Sequence, residues 1–222
     1  MQLIRCMVVM LILLSSVAVG LPLKGGIPAT LPTLYVDEHG IIAGDHNDVA
    51  FLECFTRLLK QEIHWASYPT ARLIQETKES KLDIIFPMGF TQVRRAQLQQ
   101  SEPVQLIEDY WVYKKALPDI TNKRLLVGVK LGSPQESYVQ QQGYENIIRH
   151  NDYSGLFKML LAKRVQLLAL PDIVYKGIVA QQGQGETQFI PYTRRGYGFY
   201  LRPNASPKFM KNVNQGTRAC RP

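Results

Sequence analysis

The chain has 222 residues, of which 45% are hydrophobic and 20% charged, which excludes a disordered tail and a membrane channel. Lys and Arg outnumber Asp and Glu by 26 to 18, a formal charge of +8, and that excess invites a nucleic-acid or anionic-surface reading until the basic residues are placed. Three cysteines without C-x-x-C spacing exclude a structural zinc site and a disulfide-dense scaffold.

Residues 1–20 carry one Arg near the start, an apolar stretch over residues 6–14 and the small-residue ending Ala18-Val19-Gly20. This is the pattern of a secretory leader cleaved after Gly20, and the apolar run is shorter than the roughly 18 to 20 residues that span a bilayer. Removing it takes away Arg5, leaves a formal charge of +7 and predicts an exported protein in an oxidising compartment. Nucleic-acid binding loses its rationale in that compartment, and the remaining basic residues are scattered instead of clustered. Cys54 and Cys220 can form one disulfide there. The sequence favours the alternative, a buried thiol on a helix and a loose one in the tail.

The mature chain alternates helices with short apolar strands. Asp37-Glu38-His39-Gly40 between two apolar triplets predicts a hairpin. Asn47 and Asp48 are good caps for an amphipathic helix over residues 49–62, where Val49, Leu52, Phe55, Leu58 and Leu59 recur at helical spacing. A strand over 63–68, a helix over 70–78 and a strand over 81–87 follow, an order that implies a parallel crossover. Thr91 caps a short helix, and Tyr110-Trp111-Val112-Tyr113 reads as a strand.

After Ala116-Leu117-Pro118 the pattern restarts, which places a boundary near residue 115. The apolar run over 125–129 suits a buried parallel strand. Ser133-Pro134-Gln135-Glu136 then combines an N-cap Ser, Pro at the first helical position and Glu at the third, so a helix begins there with free N–H groups at the strand's carboxyl end. A strand over 146–149, a helix from Asp152 through Ala162, a strand over 165–170 and a helix over 172–182 complete a second α/β unit. Two further strands are expected over 189–192 and 197–202.

In order and spacing these residues resemble the type 2 periplasmic solute-binding proteins, specifically the bacterial extracellular solute-binding family 3 that includes receptors for polar amino acids. The resemblance spans residues 35–204. It rests on Tyr35-x-Asp37-x-x-Gly40-x-x-x-Gly44 leading into Asp48-Val49-Ala50, on Lys81-Leu82-Asp83-Ile84-Ile85, on Thr91-x-x-Arg94-Arg95-Ala96 with Ser101-Glu102-Pro103, on Val127-Gly128-Val129 with Gly132-Ser133, and on Gly198-Phe199-Tyr200. It implies an α/β fold of two lobes joined by two hinge strands, near residues 112–116 and 194–198. The leader then covers 1–20, the first lobe 21–113 with 197–222, and the second lobe 114–196.

The resemblance also implies site roles. Arg94 matches the arginine that grips a ligand carboxylate, for which its planar fork of donors is suited. Ser133 and the helix it caps match the second-lobe carboxylate contact, and Asp172 matches the acid that pairs with a ligand amino group. Tyr35, Trp65, Tyr68, Phe90 and Trp111 fall where family members line the pocket with aromatics. Arg94 as a solvated helix residue, Ser133 and Asp172 as simple caps, and the aromatics as core are the competing structural readings. The expected function is capture of a small polar ligand, an amino acid or another carboxylate, by a monomer that delivers it to a membrane permease. A dehydratase-like enzyme or a ligand-sensing module of the same fold is the alternative.

Three departures from the family pattern stand out. Only residues 21–27 are available as the opening strand, Met88-Gly89-Phe90 replaces two small hydroxyl residues before the arginine, and the ending after Asn204 reads as lacking the C-terminal helices, like a truncated or shifted frame. His39, His46, His64 and His150 have no metal-ligand spacing, and no nucleophile elbow, P-loop or dinucleotide fingerprint occurs. No catalytic residue, metal ligand or cofactor is therefore assigned.

Overall fold

The computed structural model describes residues 21–29, 31 and 34–221, so the expected leader lies outside the described residues. The opening strand, poor in sequence, is central in space. β1 (Leu23–Pro28) runs parallel to both β4 (Ile63–Tyr68) and β5 (Ile84–Gly89). Its two glycines answer to close packing: a Cβ on Gly25 would lie 2.4 Å from the Trp65 ring, and one on Gly26 2.3 Å from Leu73 Cδ2. A strand so tightly covered gains its order from burial and pairing, which override weak β propensity.

The hairpin is β2 (Leu34–Val36) with β3 (Ile42–Gly44), and the Asp37 carboxylate closes its turn by accepting from the His39 and Ile41 amides at 2.9 and 2.8 Å. Helix α1 (His46–Leu59) starts earlier than its sequence indicated, because Asp45 caps it by accepting from the Asn47 amide. Helix α2 (Thr70–Lys78) links β4 to β5, and the short α3 (Gln92–Arg95) follows under its Thr91 cap.

Two long strands carry the architecture, β6 (Gln99–Lys114) and β10 (Thr187–Leu201), antiparallel along almost their whole lengths. The sequence indicated two separate strands in place of β10. It is continuous because β6 supplies a partner throughout, with register shifts at Pro191/Thr193 and near Gly198 absorbing the irregularities. The second α/β unit supplies β7 (Leu126–Lys130), α4 (Pro134–Gln141), β8 (Asn146–His150), α5 (Tyr153–Leu161), β9 (Leu167–Pro171) and α6 (Asp172–Gln182). The sheet order is β4-β1-β5-β10-β6-β9-β7-β8.

β10 meets β5 from Tyr197 to Leu201, whereas β6 meets β9 from Asp109 to Val112. The chain therefore crosses between lobes ahead of Asp109 on β6. Residues 109–112 of β6 pair with β9 as well as with β10. Side-chain alternation along this part of β6 divides the second-lobe core, with Tyr110 and Val112 packing in one apolar cluster and Trp111 and Tyr113 in another. In the first lobe, Phe51, Phe55, Phe86 and Phe199 form the centre, with the Phe55 and Phe199 rings stacked 4.2 Å apart.

Two expectations about the C-terminus are overturned. Ser206 caps helix α7 (Pro207–Cys220) by accepting from the Phe209 amide, Pro207 holds its first position, and the helix packs on α1. A helix thus covers the first lobe where sequence indicated none, and Gly216 lets it approach the Phe55 ring so closely that a Cβ would sit 3.1 Å from it. Cys54 and Cys220 are joined, Cα to Cα 5.8 Å apart, instead of being one buried and one loose thiol. Among the described residues, no helix is long and apolar enough to cross a membrane.

Candidate functional site

A cleft of about 710 Å³, its open mouth included, lies between the lobes. Pro28, Gly89, Lys130 and Pro171 line it, and each ends a strand. Open α/β sheets place ligands at the carboxyl ends of their parallel strands, where helix N-termini also point. Thr70, Pro134 and Ile173, from the first turns of α2, α4 and α6, line the same cleft. Neither α2 nor α6 has a side-chain cap, so their terminal N–H groups present partial positive charge unscreened by a capping oxygen.

Arg94 is a deeply buried cation of the cleft. The Thr91 hydroxyl accepts from its backbone N–H at 3.1 Å, fixing the single turn of α3, and its side chain is 6% exposed. Nη1 donates to the Gly89 carbonyl at 2.7 Å and Nη2 to the Gly132 carbonyl at 2.8 Å, so one guanidinium spans the two lobes. Burial lowers its pKa from the ordinary arginine value. Gly89 stands where a small hydroxyl residue was expected. A Cβ there would come within 2.8 Å of Pro134 in the opposite lobe, so glycine permits the contact.

Ser133 caps α4 and accepts from the Glu136 amide at 3.1 Å. The reciprocal arm is shifted by one residue: Glu136 Oε2 accepts from the Gly132 amide at 2.7 Å, and its Oε1 pairs with Arg149. This buttress holds the 130–133 turn against the Arg94 fork. The residue is both a cap and a cleft residue.

Sequence reasoning passed over two cations. Lys130 ends β7 at 6% exposure, its Nζ donating to Thr70 Oγ1 of the other lobe at 3.3 Å and lying 5.3 Å from the Tyr153 ring centre. Burial, with the nearby Arg94 charge, brings its pKa down to about 8, against the opposing pull of Asp152. Arg195 of β10 is ion-paired with Asp109, which is 0% exposed and also accepts from Gln135 Nε2 at 2.6 Å. Burial brings Arg195 to about 10. The detectable signal for Lys130 was a charge closing an otherwise apolar buried strand, three residues ahead of a helix cap.

The structure brings Arg94 and Ser133 together and leaves the other sequence candidates outside the cleft lining. Asp172 Oδ2 accepts from Lys176 Nζ at 2.8 Å on the flank of α6. Tyr35 is 46% exposed on the hairpin. Trp65 packs over Gly25 in the first-lobe core, and Trp111 stacks on Tyr192 at 4.3 Å in the second-lobe core. Phe90 meets Tyr200 edge-on at 5.5 Å and fills the space above Gly196 and Gly198. Tyr68 carries the Arg72 guanidinium over its ring at 5.1 Å. Trp65 and Trp111 lie within their strands and turn their rings into the lobe cores, where apolar area is buried, while Tyr35 stays exposed.

No family model matches the sequence, and no curated protein does. Solved structures are similar across most of the chain. A histidine kinase sensor domain with similarity to periplasmic binding proteins superposes with a TM-score of 0.79 at 13% identity, covering 91% of each chain. The arginine-, lysine-, histidine-binding protein ArtJ from Geobacillus stearothermophilus gives 0.76 at 15% identity, covering 89% of this chain and 88% of that one. An ancestral arginine-binding protein bound to arginine gives 0.75 at 21% identity, covering 89% and 91%. With its sheet order, its two crossing strands and its interlobe cleft, the chain has the two-lobed fold of the type 2 periplasmic binding proteins.

Proposed function

We propose that this protein is a periplasmic solute-binding protein that captures a small carboxylate-bearing solute, an amino acid or another organic acid, between its lobes and delivers it to a membrane permease. One observation carries the reading. The Arg94 guanidinium is buried in the cleft, is held by backbone carbonyls of both lobes and forms no ion pair with any described carboxylate. A buried cation without a counter-charge is costly, and a bound anion supplies that charge while inserting between the two lobes it must join. The helix N-termini around it favour the same sign.

Binding closes the lobes by rotation about β6 and β10 where they cross. Arg94 donates to the carboxylate from the first lobe and α4 presents its N-terminus from the second, so the solute is gripped only when both are in place. The arginine-binding neighbours support capture of an amino acid. The leader-like residues 1–20 support export.

A thermal-shift screen of amino acids and organic acids, followed by calorimetry on the hits, tests the reading. A ligand-induced rise that Arg94→Ala abolishes supports it, and a rise that survives this substitution overturns the assigned role. Recovery of the hit unchanged after prolonged incubation, checked by mass spectrometry, separates binding from a dehydratase-like enzyme.

A further inference from the structure

We propose that Lys130 and the N-terminus of α2 form a second acid-binding position, so that the cleft selects a solute with two acidic groups. This rests on the carboxylate reading of Arg94 and extends it.

Lys130 is as buried as Arg94, and an ammonium has three N–H donors. Its described hydrogen bonding is one long contact, to Thr70 Oγ1 at 3.3 Å, and no described carboxylate pairs with it. Thr70 is the first residue of α2, a nine-residue helix whose N-cap, Pro69, provides no side-chain acceptor. The ammonium therefore sits against an uncapped positive helix end, an arrangement in which both partners repel each other's charge and both attract an anion. The Tyr153 ring face covers another side of the ammonium without neutralising it.

Arg94 and Lys130 are separate grips. Arg94 reaches Gly132 and Gly89, while Lys130 reaches Thr70 on α2. Arg195, the third cation of the cleft, already has Asp109 as its counter-charge. Neither Arg94 nor Lys130 forms an ion pair with a described carboxylate, although Asp152 acts on Lys130 from the start of α5, and the two cations feel each other. A single carboxylate relieves one of them. A diacid relieves both and cross-links the lobes twice, since Lys130 belongs to the second lobe and Thr70 to the first. A cationic solute such as arginine would add a like charge to this end of the cleft.

The test compares glutarate with butyrate, and glutamate with glutamine, by calorimetry on the wild-type protein. The diacid of at least one pair is expected to bind at least about 30-fold more tightly than its single-acid partner, with arginine no tighter than glutamine. Preference for glutarate or for glutamate assigns the class without or with an ammonium, and either supports the proposal. Lys130→Met is expected to reduce the ratio to within about 3-fold while Lys130→Arg keeps it. Single-acid solutes that bind as tightly as diacids overturn the proposal and leave the carboxylate reading standing. Absence of binding by every acid overturns both. Should Lys130→Met fail to fold, as judged by its melt, the wild-type ratio decides alone.

Discussion

Arg195 on β10 is ion-paired with the fully buried carboxylate of Asp109 on β6, where β6 passes into the second lobe. Gln135 of α4 donates to the other Asp109 oxygen at 2.6 Å, so the pair ties the crossing strands to a helix that lines the cleft.

Removing one partner of a buried ion pair leaves an uncompensated charge. Asp109→Asn is expected to cost about 3–5 kcal/mol in urea unfolding, because the Arg195 cation stays buried without its counter-charge. The double variant Asp109→Asn with Arg195→Met should recover much of that loss. A single variant within about 0.5 kcal/mol of wild type would show that the pair contributes little.

Ligand affinity should depend on pH through Lys130. The groups that act on it are Arg94 from α3, which lowers its pKa, and Asp152 at the start of α5, which raises it, with the Tyr153 ring and Thr70 in contact. A value of about 8 in the free protein means the ammonium is charged below pH 8 and loses its proton above it. A bound acid stabilises the charged form, so binding takes up a proton above pH 8. Diacid affinity is then flat from about pH 6 to 7 and falls above 8, by up to about tenfold per pH unit. Calorimetry at pH 9 in two buffers of different ionisation enthalpy reads the proton uptake, and affinity constant from pH 7 to 9 contradicts it.

The same group affects stability with the opposite slope. Its folded value of about 8 is below the ordinary 10.5, so between those values the unfolded chain holds a proton the folded chain lacks. The penalty of burying the charge is fully present below pH 8 and is relieved as pH rises, so this group's contribution favours folding progressively from pH 8 to 10.5. Lys130→Met should flatten that part of the wild-type stability curve.

The Cys54–Cys220 bond closes a loop over a sequence separation of 166 residues, pinning α7 to α1. Cys54→Ala with Cys220→Ala is expected to lower stability by about 3–5 kcal/mol and the melting temperature by about 8–15 °C. A reductant should shift the wild-type melt and leave the double variant's unchanged.

Trp111 is 3% exposed and stacked on Tyr192. Trp111→Phe should therefore cost about 1–3 kcal/mol of stability through lost packing, with ligand affinity within about twofold of wild type. A tenfold loss of affinity in a variant of unchanged melting temperature would return Trp111 to the site.

Local chemistry is written in short stretches, and there the sequence was legible. The helix over 70–78, the strand over 63–68, the turn at Asp37 and the Ser133 cap depend on neighbouring residues, and each forms as its own residues dictate. The site roles expected for Arg94 and Ser133 came from the family resemblance, while the local cap and short turn set only where each side chain starts. The remainder depends on contacts distant in sequence. Leu23–Pro28 becomes a strand because β4 and β5 cover it, α7 is anchored through a residue on α1, and β10 is continuous because β6 accompanies it. Lys130 and Arg195 look like surface charges when read singly. Both line a cleft between two lobes, and only tertiary structure decides which charges lose their water and which carboxylate, here Asp109 for Arg195, answers them.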